Sequence, residues 1–104
     1  MAGKGNKSGR GRNPGSANRT ARVGELLKRI LAEELEQFDD DRLMLASITG
    51  VDVDRELHRA VCWYTTFDGE NDAEVAEALE EYRGRLRKAV SSQARLRKTP
   101  ELEF

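Results

Sequence analysis

The apolar residues of this chain fall on two helical stripes, with a stretch between them that loses the helical period. Val23, Leu26, Leu27, Ile30, Leu31, Leu35 and Phe38 recur at i, i+3, i+4, i+7 and i+8, the pattern of one buried helix face. Val75, Leu79, Tyr82, Leu86 and Val90 repeat it at spacings of 4, 3, 4 and 4. Between the stripes, MLASITGVDV and AVCWYTTF are rich in β-branched and aromatic residues, which predicts two antiparallel strands at about 46–53 and 58–67. Asp54-Arg55-Glu56-Leu57 supplies the turn, and Gly50 marks a bulge. Pro100 stops the second helix, and Glu101-Leu102-Glu103-Phe104 alternates as a short third strand. The order helix, strand, strand, kinked helix, strand predicts an α+β fold: a three-stranded sheet with helices packed on one face.

Local signals refine the elements. Asp39-Asp40-Asp41 opposes the dipole at the end of the first helix and reads as a solvated, helix-stopping turn, with metal binding the lesser reading. Asn71 or Asp72 caps the second helix, and Glu74 and Glu77 suit its positive end. Gly84 interrupts that helix at a cost of about 1 kcal/mol relative to alanine, so it marks a kink or a close helix contact. Trp63 and Tyr64 are adjacent on a strand and face opposite ways. Core or near-core packing is expected for both, with base stacking by one of them, or its exposure on a sheet face, as the alternative.

The charges are segregated along the chain. Residues 1–22 hold six Lys/Arg and no acid, residues 23–82 hold seventeen Asp/Glu against five Lys/Arg, and residues 83–98 hold seven Lys/Arg and no acid. Met1 to Asn18 is glycine-rich and cationic with almost nothing to bury, so 1–18 is expected to be a disordered basic arm and 19–104 the folded domain. Such an arm either solubilises the chain or adds phosphate contacts without specificity. The two basic segments make nucleic acid the first partner to test, although the net charge is −1. A solvated face balanced by neighbouring acids is the competing reading.

Other chemistries lack a foundation. No apolar run approaches the ~20 residues that span a bilayer, and no apolar segment follows the basic start as a secretory signal would require. Cys62 is the lone cysteine, which fits a reducing, cytoplasmic compartment and a small buried hydrophobe. His58, the only histidine, has no acid–base constellation and reads as a strand-edge residue. No nucleophile–base pair, phosphate loop or metal-ligand spacing appears, so neither catalysis nor a cofactor is expected.

Four stretches in order resemble the ribosome-binding factor A family of bacterial small-subunit maturation factors. They are Arg19-Thr20-Ala21-Arg22-Val23, Asp40-Asp41-Arg42-Leu43, Thr49 to Ala60 (TGVDVDRELHRA) and Leu96 to Phe104 (LRKTPELEF), the last being the most specific. The resemblance covers Arg19 to Phe104. It implies a type II KH-like domain of order αββααβ with a kinked second helix. It also implies a cytoplasmic, monomeric, non-enzymatic factor that binds the free small (30S) subunit near the 5′ region of 16S rRNA during late maturation, with a link to growth in the cold. Where the family usually has Asp-Pro-Arg, this chain has Asp40-Asp41-Arg42. Where it often has Ala-x-Gly at the helix kink, this chain has Tyr82-Arg83-Gly84, and Tyr82 needs more room at the helix crossing. Family chains usually carry a short tail beyond this last strand, and this sequence stops at Phe104.

No GxxG loop occurs, so clamping of a few splayed bases is not expected, and phosphate contacts on a structured RNA remain. The candidates are Arg83, Arg85, Arg87, Lys88, Arg95, Arg97 and Lys98, joined by Arg19 and Arg22 at the start of the first helix. Leu86 and Val90 point inward, Arg83 and Arg87 share one flank, and Arg85, Lys88 and Arg95 share another. Arginine predominates, and its planar fork suits bidentate phosphate contact. The alternative function is a protein-interaction module. Its acidic helix face, with Glu33, Glu34, Glu36, Glu77, Glu80 and Glu81, would meet a basic partner. A hydrolase built on Asp39–Asp41 lacks any partner group.

Overall fold

The computed structural model describes residues 14–66, 69 and 71–104, with side chains from Arg19 onward. Helix α1 runs Pro14–Gln37 and is followed by a short 3-10 turn at Asp41–Leu43. Strands β1 (Ser47–Val53) and β2 (Arg59–Thr65) come next, then α2 (Asp72–Glu81), α3 (Arg83–Ala94) and β3 (Glu101–Glu103). This is the αββααβ order, and the elements sit close to the positions expected from periodicity. The expected disordered arm lies mostly on residues 1–13, outside the described residues. The backbone from Pro14 to Asn18 is already helical, so helix begins upstream of the expected boundary. Proline at a helix start is favourable because its missing N–H would have no intrahelical partner there.

The sheet order is β1-β2-β3. β1 and β2 pair antiparallel, with the register shifting between Ile48 and Gly50, so the expected bulge is present. β3 runs parallel to β2, with Ala60 opposite Leu102. The β1–β2 turn is closed by Asp54, whose Oδ1 accepts the backbone N–H groups of His58 at 2.6 Å and Arg59 at 2.9 Å.

Helices cover one sheet face. Ala60, Cys62 and Leu102 are buried beneath them together with Leu27, Leu31, Val75, Leu79, Leu86 and Val90, and no polar or charged residue is buried among the described residues. Burial pushes the Cys62 thiol up to about 12, so it stays protonated. Tyr64 packs against this core. Trp63 does not: it is 55% exposed on the opposite face, contrary to the expectation of core packing. Strand alternation forces one of the two outward, and here the helix-free face receives the indole.

The kink between α2 and α3 is at Tyr82, which caps both helices with φ −95° and ψ 5°. Its N–H donates to the Ala78 carbonyl at 3.0 Å, and its carbonyl accepts from the Leu86 N–H at 2.9 Å, so little hydrogen bonding is lost at the break. Asn71 holds the N-cap position of α2 but makes no side-chain cap bond.

Gly84 is not the close contact. A Cβ built there meets nothing within 4 Å, whereas one on Gly24 would lie 2.5 Å from the Val51 carbonyl oxygen. Gly24 therefore sets how closely α1 lies on β1. Gly24→Ala is expected to cost roughly 1–3 kcal/mol through overpacking. Gly84→Ala should stabilise by roughly 0.4–1 kcal/mol by restricting the unfolded chain. Urea denaturation of both variants beside the wild type checks the opposite signs.

Candidate nucleic-acid interface

Helix α3 presents its cations in two directions because Leu86 and Val90, each 1% exposed, fix its inward face. Arg85 and Lys88 line a groove between α1 and α3, together with Glu34, Ala89, Ser92 and Gln93. Arg83 and Arg87 lie on the other flank, toward β3. Helical spacing separates Arg83 and Arg87 from Arg85 and Lys88 as expected, but Arg95, expected beside Arg85 and Lys88, lies past the helix end and outside the groove. Arg95 leaves the helix as a left-handed cap with φ 57°, and Arg97 and Lys98 follow it, exposed, on the way to β3.

The cations differ in how far they are already engaged. Arg83 donates through Nη1 to the Leu102 carbonyl at 2.7 Å and through Nε to Glu80 at 3.1 Å, and it lies over the Phe104 ring. It ties the end of α2 to β3 and is half-buried. Arg87 reaches the Thr99 carbonyl at 3.3 Å and Glu101 at 3.6 Å, both near the surface. Arg85 stacks its guanidinium on Phe38 at 4.6 Å from the ring centre, leaving its edge to solvent. Lys88, Arg95, Arg97 and Lys98 make no ion pair among the described residues. Arg19 and Arg22 are exposed on α1 but are not brought into the groove. At 1.5 Å per residue, Arg22 lies roughly 18 Å before Glu34 along the helix.

The Asp39–Asp41 run is a different object from the solvated turn expected. Asp39 and Asp41 are exposed, but the Asp40 side chain is only 11% exposed. It accepts from the Arg42 backbone N–H at 3.0 Å, from Arg42 Nε at 3.0 Å and Nη2 at 2.6 Å, and from the Tyr82 hydroxyl at 2.8 Å. Arg42 continues to Glu81 at 3.0 Å. The Tyr82 ring stacks on Phe38 with centroids 4.2 Å apart. The larger residue at the kink thus finds its room by stacking on the end of α1 and bonding the loop that follows it. The Asp40/Arg42 spacing was the available signal for this pair, whereas Tyr82 lies 42 residues from Asp40 and gave none.

Among the described residues, the groups best able to hold a metal are Asp54, Glu56 and His58, whose ligand atoms lie within 4.8 Å of one another, all exposed. The structure therefore gives His58 carboxylate neighbours that its sequence context did not suggest. Asp54 Oδ1 is already used twice in closing the turn. Among the described residues no helix is long and apolar enough to cross a membrane.

The hydrogen bonds from Arg42, followed by that from Tyr82, hold the Asp40 carboxyl well below the usual carboxylate range. A depressed folded value means that the stability it contributes is complete above the unfolded value, near ~3.9, and is lost as pH falls from there toward the folded one. Asp40→Asn is expected to lower stability at pH 7 and to flatten its decline below about pH 4. Urea midpoints at pH 7 and pH 3 measure both effects.

The profile described as ribosome-binding factor A matches residues 19–104 of this chain. A ribosome-binding factor A from Rubrobacter xylanophilus is 37% identical over 87 residues, covering 83% of this chain and 71% of that protein. The crystal structure of ribosome-binding factor A from Thermus thermophilus is similar with a TM-score of 0.75 and 30% identity, covering 82% of this chain and 92% of that one. A homology model of the Thermus thermophilus factor, fitted into the cryo-EM map of a 30S–RbfA complex, is similar with a TM-score of 0.68 and 32% identity, covering 81% of this chain and 90% of that one.

Proposed function

The chain belongs to the ribosome-binding factor A family, and we propose that it binds the free small ribosomal subunit and 16S rRNA during late maturation. It acts in the cytoplasm as a monomer, by binding and without catalysing a reaction. The observation that carries this reading is the row of outward cations on α3 and the segment after it. No acid interrupts residues 83–98, and the apolar residues of that stretch are turned inward. The similarity to a protein fitted in a 30S complex supports the same partner.

The contact is electrostatic and shape-based. Arg85, Arg87, Lys88, Arg95, Arg97 and Lys98 meet phosphates, and Arg19 and Arg22 extend the contact along α1. Arg83 serves mainly to anchor β3, since its guanidinium is already shared between Glu80 and Leu102. Stacking on Phe38 holds Arg85 ready, which reduces the side-chain freedom it loses on binding. The protein favours whichever rRNA junction conformation it binds more tightly, and that difference in affinity sets how far it can shift the equilibrium.

Co-sedimentation with purified small subunits, large subunits and whole ribosomes tests the proposal. Binding should be confined to free small subunits, and log K should fall with log salt at a slope of about −4 to −5 for six phosphate contacts. The triple reversal Arg85→Glu, Arg87→Glu, Lys88→Glu should abolish it. Equal binding to all three particles would contradict the reading. Unchanged binding by the triple variant would favour the acidic helix face instead.

A further inference from the structure

The sheet face away from the helices lies outside the RNA contact proposed above, and it holds the chain's only tryptophan, more than half exposed. Strand register assembles its surroundings. Asp52 and Glu103 both pair with Val61, from β1 and β3, so a carboxylate stands on either side of that residue on the outer face. Glu101 stands opposite Arg59, and Arg59 is bridged to Glu103 at 2.7 Å. Arg87 of α3 already draws the Glu101 carboxylate at 3.6 Å, so the outer face sets two carboxylates, Asp52 and Glu103, against the Arg59 guanidinium. The Trp63 indole N–H donates to Asp52 Oδ2 at 2.8 Å, which fixes the ring diagonally across the strands. Gly50 lies directly opposite Trp63, and a Cβ there would meet nothing within 4 Å. An open notch therefore remains beside the ring.

We propose that this face docks an extended, arginine- or lysine-rich protein segment, with one cation seated over Trp63 beside Asp52. Charge selects this occupant. Phosphates would be repelled by the carboxylates, whereas a guanidinium or ammonium gains both the indole face and an adjacent anion. A three-stranded surface with open space at Gly50 suits an extended chain better than a helix. The proposal goes beyond RNA binding and does not depend on it. The cationic flanks belong to α3, on the sheet's covered side, so RNA and a basic protein segment can be held at once.

The single tryptophan makes the test direct. The intact chain is titrated with a dye-labelled nona-arginine peptide and, separately, with an oligouridylate, while Trp63 emission and peptide anisotropy are followed. The expected result is a saturable change in Trp63 emission with the peptide and none with the oligouridylate. Asp52→Asn and Trp63→Ala should each weaken peptide binding by roughly tenfold. The Glu74→Gln, Glu77→Gln double variant on α2 should bind as the wild type does. Circular dichroism confirms that the variants fold, and Asp52→Asn keeps the test open should Trp63→Ala not. Peptide binding lost in the α2 variant but kept in the Asp52 and Trp63 variants would overturn the proposal. So would Trp63 emission that responds to the oligouridylate alone, or self-association that shields Trp63 without peptide.

Discussion

The fold depends on how closely α1 can lie on β1. Gly24 faces the Val51 carbonyl so tightly that any side chain there would collide with backbone. This approach lets Leu27 and Leu31 sink fully beneath the sheet surface, and α3 then packs against α1 with Leu86 and Val90 sealed between them. Arg85 and Lys88 are carried to the surface by that packing. The position of the cations is thus a consequence of one missing Cβ on another helix. A domain of this size has a small core, so such a contact has little redundancy behind it.

A second junction determines where the α2–α3 break falls. Asp40 gathers Arg42 and the Tyr82 hydroxyl, and Phe38 stacks on the Tyr82 ring and beneath Arg85. The C-terminal end of α1, the loop after it and the kink are tied into one unit. Two of the residues that looked available for RNA are altered by this arrangement. Arg83 is drawn inward as a strap to β3, while Arg85 is restrained by an aromatic ring without losing its exposure. The basic face is therefore narrower than a count of charges suggests, and it is better ordered.

Much of this was legible in the sequence because burial is periodic. The stripe from Val23 to Phe38, the strands around Gly50 and Cys62, and the short strand after Pro100 all follow from local spacing, and the structure places them as expected. The separation of Arg83 and Arg87 from Arg85 and Lys88 on α3 follows from the same periodicity, whereas Arg95 leaves it because the helix ends at Ala94. What could not be read was set by residues far apart in the chain. Gly24 against Val51 and Asp40 against Tyr82 are tertiary contacts with no local pattern. Gly84 drew attention because glycine interrupts a helix, yet it stands in open space. The exposure of Trp63 depends on which sheet face the helices leave bare, and composition does not reveal that.

Charge is sorted between two surfaces: exposed cations on the helical side, carboxylates around an indole on the sheet side. The most direct measurement of the RNA-binding assignment is photo-crosslinking of the protein bound to free small subunits, with the crosslinked residues identified by mass spectrometry. The expected result is rRNA crosslinks concentrated in the α3 segment and the loop through Lys98, with none from the strand carrying Trp63. Crosslinks to rRNA from that strand, with residues 85–98 silent, would contradict it.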